Sequence, residues 1–489
     1  MSPISLRLKS KRAQLALRFF TYGVMTLATV VLTTLAIFYA MGFRFNNETN
    51  QFDQGGLIQF RSTPPGANVL VDGKQQTIKT PDRLNLAAGT HDVTMRLNGY
   101  REWKRTVSLA PGQLLWLNYT RLIPESITTT PLRTFPSVAK VMTSPDHRWM
   151  LVQQKQDVPA FTLVDVNDEK NPAYTDFTLP ETAIRKADNK YGQFTIVEWD
   201  LSSRFILIHH QNGTVNEWLR IERSKPQEAI NLSQVFGLDI GEAHFAGSNP
   251  NLVYAKTNDV LRRLDLGANS ASAALVNGLV TFSVYGDDTI SFVAHRQGAP
   301  NEKQEVIGLF RQDKETVIQA YPAGTSLKVA YSEYDHHGYL TIHKNDGAIQ
   351  VLRDPGANTK DTSQFVSITV SQPLSWLMFS NNGRMVVGGT DTSMTTYDIE
   401  LDKTFQASLG FMGGANLGKP QWLDDYSLWT DTGGRLRIFE YDGLNDREIT
   451  TVGAGYGVNL SQSGKTLFSI GKNAITNTYF LQASKLVLE

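Results

Sequence analysis

The chain has 489 residues, 47 basic and 47 acidic side chains, and no cysteine. Hydrophobic residues make up 41% and charged residues 19%, which describes a globular chain too long for one ordinary domain. The charge balance gives no general pull on nucleic acid, and the missing thiols exclude disulfides, thiolate metal sites and a cysteine nucleophile. A cysteine-free chain also suits a bacterial extracytoplasmic protein, where a stray thiol is a liability.

The first 18 residues carry Arg7, Lys9, Lys11, Arg12 and Arg18 and no acid. An uncharged run from Phe19 to Phe43 follows, with aromatics near both ends. About 20 apolar residues cross a hydrocarbon core, and basic residues stay on the cytoplasmic side. The pattern predicts a cytoplasmic tail at 1–18, a single transmembrane signal anchor at 19–43 and an extracytoplasmic remainder. A cleaved signal peptide has a shorter apolar core, of about 7–15 residues, and a small-residue cleavage site that is missing here. The polar stretch 44–56, ending in Gly55-Gly56, reads as a linker.

From Leu57 the hydrophobic period becomes two. "LIQFRS" and "ANVLVDG" read as strands, the second ending in an Asp72-Gly73 hairpin turn. Ala88-Gly89, Asn98-Gly99 and Pro111-Gly112 separate further short strands up to "LLWLNYTRL". The pattern predicts a small antiparallel β-sandwich over 57–123. Pro64 and Pro65 lack an amide hydrogen and mark an edge or corner, and Gly66 admits a φ closed to other residues.

This stretch resembles a PEGA domain. The likeness is carried by Pro64, Pro65, Gly66 and Ala67, by Asp72-Gly73 and Thr80-Pro81, by "AGTHDV" at 88–93, and by Gly99-Tyr100 after Asn98. Pro65 stands where the family has Glu, and Ile78 stands where a Gly often precedes Thr-Pro. No carboxylate at the tetrad is therefore available for function. The resemblance implies a small extracytoplasmic β-module of surface and envelope proteins, without established catalysis.

Beyond Pro124 the chain repeats one pattern: apolar strand, Ser/Asp/Asn-rich turn, Arg or Lys, apolar strand, loop, strand. Clear copies begin at Val141, Val197, Trp376 and Gly457, and weaker ones at Ala243, Phe282, Val329 and Pro420. A period of about 40–50 residues is that of propeller blades. The expectation is a seven- or eight-bladed β-propeller over 125–489, eight being favoured. A strand within Ser126–Phe135 would complete the last blade, and closure removes the sheet edges that invite aggregation. The Ser-Pro-Asp-x-Arg and Ser-x-Ser-Gly-Lys turns resemble those of Tol-type and WD-like bacterial propellers. Ser144, Asp146, Ser380, Asn382 and Gly383 are expected to shape hairpins.

Chemistry-bearing patterns are sparse. His209-His210 and His336-His337 are adjacent pairs; strand neighbours face opposite ways and chelate one metal poorly, and the second pair reads as a turn. There is no zinc-protease helix motif and no nucleophile elbow. The Gly-rich run Gly410–Gly418 is not followed by a helix, so it is no phosphate loop. Trp149, Trp199, Trp218, Trp376, Trp422 and Trp429 are expected to pack mostly between blades. No catalytic, cofactor or metal residue is assigned. The expected role is a membrane-anchored envelope protein whose propeller binds a protein or cell-surface glycan. The alternatives are an anchored polysaccharide hydrolase or lyase with carboxylates in the propeller channel, and a Tol-like envelope-assembly factor. The acids Asp287, Asp288, Asp424 and Asp425 fall in turns and read as solvated surface.

Overall fold

The computed structural model describes residues 11–40, 43–46, 51–187, 190–298, 302–345, 347–356, 364–371, 374–410 and 419–488. Two compact units divide the chain, 1–125 and 126–489.

In the first unit, the basic segment from Lys11 and the uncharged run up to Ala40 form one helix, Lys11–Ala40. Its segment Leu15–Tyr39, with mean hydropathy 1.8, is long and apolar enough to cross a bilayer and is exposed along its length. The helix stops short of the expected boundary, because Phe43 already belongs to a strand. Phe43–Asn46 pairs antiparallel with Gln51–Thr63, Phe43 opposite Gln54. The stretch 44–56 thus holds strands rather than a plain spacer. Glycine is what allows this: a Cβ on Gly56 would lie 2.6 Å from the Leu109 side chain and 2.9 Å from Gln113 O.

The rest of this unit is two four-stranded sheets. One joins Phe43–Asn46, Gln51–Thr63 and Asp82–Ala87, with Leu114–Arg121 parallel to Gln51–Thr63. The sandwich is therefore not purely antiparallel: the chain crosses to the second sheet and returns in the same direction. The second sheet runs Lys74–Lys79, Asn68–Val71, Gly89–Arg96, Trp103–Leu109. Alternating side chains from both sheets fill the core, among them Ile58, Phe60, Val69, Met95, Trp103 and Leu117.

The second unit is eight four-stranded antiparallel sheets, each made of consecutive strands except the last. Blades 1 to 7 span 140–178, 193–231, 242–271, 279–322, 327–368, 376–408 and 421–451. Blade 8 takes Asn459–Leu460, Thr466–Lys472 and Tyr479–Lys485, and its fourth strand is Thr129–Phe135 from the start of the unit. The expected closing strand is there, and the ring has eight blades among the described residues. The first strands of several neighbouring blades pack on one another, so they form the innermost ring. The middle strands, such as Trp149–Gln153 and Met385–Gly389, are almost wholly buried. Apolar side chains of adjacent blades interleave: Phe135, Val141, Met150, Phe468 and Leu481 share one core across the closure.

Candidate functional site

The repeated sequence pattern builds one kind of turn between the first and second strands of a blade. In blade 1 the Ser144 hydroxyl donates to Asp146 Oδ1 at 2.5 Å and accepts from Trp149 N–H at 2.9 Å. Asp146 Oδ1 also accepts Arg148 N–H at 3.0 Å. In blade 6 Ser380 and Asn382 do the same for Arg384 and Met385, at 2.7, 3.1 and 2.9 Å. In blade 8 Ser461 and Ser463 hold Thr466 N–H and Lys465 N–H, both at 3.1 Å. The fourth turn position has positive φ in each: His147 58°, Gly383 75°, Gly464 70°. At Gly383 a side chain is also sterically closed out, because a Cβ would collide with Glu333 O of blade 5.

The Arg of the turn then reaches the end of the third strand of its own blade. Arg148 grips Asp165 through two nitrogens, at 3.0 and 2.7 Å. Arg384 grips Asp398 at 2.8 and 2.7 Å and also touches Glu400, which accepts the Tyr334 hydroxyl of blade 5 at 2.6 Å. Arg384 is held more firmly protonated: burial alone would favour its neutral form, but Asp398 and Glu400 outweigh that.

Several of these turns are tied from blade to blade on one face of the disc. Gln462 donates to Asp146 O at 2.8 Å, Asp146 N–H to the Ser203 hydroxyl at 3.0 Å, and Leu201 N–H to Gly247 O at 3.4 Å. Ser248 N–H donates to Asp287 Oδ1 at 2.7 Å. Blades 8, 1, 2, 3 and 4 are linked in sequence by these bonds, and blades 5 and 6 by Tyr334 and Glu400. On this face Leu201 stands 60% exposed. Arg148 and Arg223 flank the Trp149 ring at 4.8 and 4.0 Å.

An ionisable cluster sits on the innermost strands of blades 2 and 3. A bulge between Ile196 and Glu198 in blade 2 re-aims Glu198 toward blade 3. His244 there lies between Glu198, at 2.8 Å from Nδ1, and Glu242, at 3.3 Å from Nε2. Glu198 Oε1 also accepts Phe245 N–H at 2.5 Å. Burial would lower the His244 pKa, but the two carboxylates outweigh it and push it up to about 9. The imidazolium is thus an interblade clamp between two half-buried carboxylates. On blade 1, Lys140 Nζ donates to Ile196 O at 2.5 Å, and burial lowers its pKa. No group of three or more His, Asp or Glu suited to a metal ion occurs among the described residues.

The adjacent histidines separate as strand geometry requires. His209 stacks on Trp218 at 4.8 Å, while His210 stacks on Phe194 at 4.4 Å. His210 is fully buried and pairs with Glu217 at 3.0 Å. Glu217, also fully buried, accepts Arg185 N–H, Arg185 Nε, Asn231 and Gln234 at 2.7–3.0 Å. Burial would raise its pKa, but His210, Arg185 and Gln234 outweigh that and hold it far below the carboxylate range. Asp335 and His336 both have positive φ and make the hairpin turn, and His337 begins the next strand. Trp199, Trp218, Trp376 and Trp429 are buried; Trp149 and Trp422 are half-buried. Among the acids expected in turns, Asp287 accepts Ser248 N–H of blade 3, and Asp424 Oδ1 accepts Tyr426 and Ser427 N–H at 3.0 and 2.7 Å. The pKa of Asp425 is raised, first by burial and then by Asp424. Most of the run Gly410–Gly418 lies outside the described residues.

In the first unit the family motifs clasp one another. Thr80 Oγ1 is 2.6 Å from the Ser62 hydroxyl and accepts Ala67 N–H at 3.0 Å, and Gly66 N–H donates to Thr80 O at 2.7 Å. The peptide bonds before Pro64 and Pro81 are cis, and Pro65 is exposed. Asp72, with φ 51°, and Gly73, with φ 77°, make the tight turn. Asp72 Oδ1 accepts Asp92 N–H at 2.9 Å and Oδ2 meets His91 at 2.8 Å, which explains the "THDV" motif. Gly99, φ 79°, turns the chain so that Tyr100 is buried. Of the basic residues, Lys11, Arg12 and Arg18 lie on the first helix, and Arg7 and Lys9 lie outside the described residues.

The fold thus defines an eight-bladed β-propeller carried in one chain with a small β-sandwich and an apolar helix. Residues 56–122 match the PEGA domain family, so the sandwich is a PEGA domain. No curated protein matches the chain. Solved propellers are similar in fold. The β-propeller domain of Myceliophteria thermophila Cps50 (Swd1) has 12% identity over 74% of this chain and 100% of that one, TM-score 0.38. The Dos1 propeller has 11% identity over 73% and 96%, TM-score 0.44. Saccharomyces cerevisiae Sqt1 has 11% identity over 72% and 98%, TM-score 0.45.

Proposed function

We propose that this chain is a membrane-anchored protein of the bacterial envelope whose propeller is a non-enzymatic binding or scaffold module for a protein or a cell-surface glycan. The apolar helix tethers it, with the basic tail cytoplasmic and the bulk extracytoplasmic. The observation that carries the reading is the set of turn-to-turn bonds that links blades 8, 1, 2, 3 and 4 on one propeller face. It ties the hairpins of these five blades into one surface, and a pre-ordered surface loses less entropy on binding. Leu201 and the arginines around Trp149 supply the apolar and cationic contacts that interfaces favour.

Photocrosslinking in intact cells tests this. A photoreactive residue at Leu201 should give a discrete adduct, and one at Thr175 on the outer strand of blade 1 should not. Matching adducts at both positions, or none at either, would contradict a specific binding face.

An anchored polysaccharide hydrolase or lyase is the second reading, favoured by the carboxylates Glu198 and Glu242 on neighbouring innermost strands. Cleavage of surface polysaccharide by the purified protein, abolished by Glu198→Gln with the fold intact, would replace the binding reading with this one.

A further inference from the structure

Blades 1, 2 and 6 share one ion pair. The turn arginine reaches the acid opposite the residue that follows it: Arg148 to Asp165, Arg384 to Asp398, and in blade 2 Arg204 to Glu222 at 2.8 Å. Strand register aligns the three blades, because Trp149 faces Asp165, Phe205 faces Glu222 and Met385 faces Asp398. The residue after each acid donates its N–H to the carbonyl of the turn arginine, at 3.0 Å in all three.

Blade 2 departs from the others at two places. Two residues before the acid, blades 1 and 6 have Leu163 and Thr396; one residue after it they have Val166 and Ile399, and all four are buried. Blade 2 has Arg220 and Arg223 there. The blade fold therefore requires a cation at neither position. The acids nearby are already engaged. Glu222 and Asp165 hold the turn arginines, Asp200 Oδ1 accepts Arg204 and Phe205 N–H at 2.7 and 2.6 Å, and Asp146 Oδ1 closes the turn of blade 1.

Each extra guanidinium lies on a ring that a turn arginine also touches. Arg223 is 4.0 Å from the Trp149 ring, and Arg220 is 4.1 Å from the Phe205 ring, which Arg204 approaches at 5.0 Å. Arg223 donates from Nε to Ser203 O at 2.9 Å and makes no ion pair among the described residues. Arg220 makes none either; it is 9% exposed and its Nε has no partner. Burial lowers the pKa of both, yet a guanidinium keeps its proton. Two poorly compensated charges thus border the hairpin turn that carries the exposed Leu201.

We propose that this turn of blade 2 receives an acidic segment of a partner protein, with its carboxylates on Arg223 and Arg220 and an apolar side chain on Leu201. The proposal rests on the reading of this face as a binding surface and names the chemistry of its partner. An incoming carboxylate supplies the counter-charge that the blade omits, and its planar shape fits the paired donors of a guanidinium. A protein fits better than an anionic glycan. Sugar rings stack on open aromatic faces, whereas Phe205 is 4% exposed and half-buried Trp149 lies against two guanidiniums. Leu201 also matches an apolar side chain, which a polyuronate lacks.

Blade 1 supplies the variants for the test, Arg220→Leu and Arg223→Val, since it builds the same turn with those residue types. Each removes an unpaired charge, so the thermal midpoint of the full chain should hold or rise. A photoreactive residue at Leu201 in intact cells should join a protein, at a segment with Asp or Glu beside the joined residue by mass spectrometry. The adduct should fall several-fold with each variant and persist with Arg435→Gln, whose arginine pairs with Glu448 in blade 7. An undiminished adduct in either variant overturns the proposal, as does a joined segment without acids or a joined glycan; the binding face survives these results. A lowered midpoint in either variant marks a structural arginine and overturns it too. No adduct in the wild-type background removes the binding face, and this proposal with it.

Discussion

Arg384 and Asp398 form a two-point ion pair, Nε to Oδ1 at 2.8 Å and Nη2 to Oδ2 at 2.7 Å, with the Asp398 side chain fully buried. Replacing one partner leaves the other charge buried and unpaired, which costs about 3–5 kcal/mol. Asp398→Ala is expected to lower stability by that order in a denaturant titration. The equivalent pair of blade 1, Arg148 and Asp165, is 40% and 19% exposed. Asp165→Ala there should cost about 1 kcal/mol or less, because water screens the remaining charge. Equal costs at the two sites would refute the burial argument.

The ring is closed by the strand Thr129–Phe135, and Phe135 is 1% exposed in the core shared by blades 8 and 1. Phe135→Ala should destabilise the propeller by about 3–5 kcal/mol, the usual effect of emptying an aromatic site. Thermal unfolding of the full chain measures it. A change within error would show that blade 8 is closed in some other way.

His244 gives the fold a pH dependence. Its folded pKa is about 9, against an ordinary value of 6.5, so the folded state holds its proton more tightly. The stabilisation is complete below pH 6.5 and is lost as pH rises through about 9. The wild-type denaturation midpoint should fall over that window, and His244→Gln should flatten the fall. A histidine resonance titrating near 6.5 would contradict the clamp between Glu198 and Glu242.

Glu217 works in the opposite direction. Its carboxylate is held far below 4.5, so its contribution is present above pH 4.5 and is lost only as pH falls toward the depressed value. It also anchors the segment before blade 2 through both the backbone and side chain of Arg185. Glu217→Gln should speed tryptic cleavage at Arg185 and Lys186 while the other sites stay protected. Unchanged cleavage there would mean that the anchor is redundant.

Asp425 is the converse case, an acid whose pKa is raised by burial and by Asp424. Its charge opposes folding as pH rises above the ordinary value of 3.8. Asp425→Asn should therefore stabilise the protein at pH 7, with the gain vanishing in acid. Stabilisation that persists unchanged below that value would point to a packing effect instead.

Local signals explain what the sequence reveals. Ser144, Asp146 and Arg148 lie within five residues, and the hydroxyl and carboxylate use that spacing to close one turn on the Arg148 backbone N–H. The same holds for Ser380, Asn382 and Arg384, and for Asp72-Gly73 beside "THDV". The closing strand is legible because the last repeat lacks one strand and the first residues of the unit can supply it. Other features are set by contacts between distant residues. His244 and Glu198 are 46 residues apart and meet only because a bulge turns Glu198 toward the next blade. Arg185 sits on the connection between blades 1 and 2 and Glu217 on the third strand of blade 2, and no spacing joins them. The hairpin Phe43–Asn46 with Gln51–Thr63 was hidden by its polar composition: a strand at a sheet edge keeps its backbone bonds without an apolar face.

The central claim is that one chain passes a membrane once, near its start, with the propeller on the outer side. Single cysteines at Ser10 and Leu201 in the otherwise cysteine-free chain test it through labelling with a membrane-impermeant maleimide. The cells are intact at the inner membrane and stripped of any outer layer. The account predicts that Leu201→Cys is labelled before lysis and Ser10→Cys only after it. Labelling of Ser10→Cys alone before lysis, or of both positions only after lysis, would contradict it.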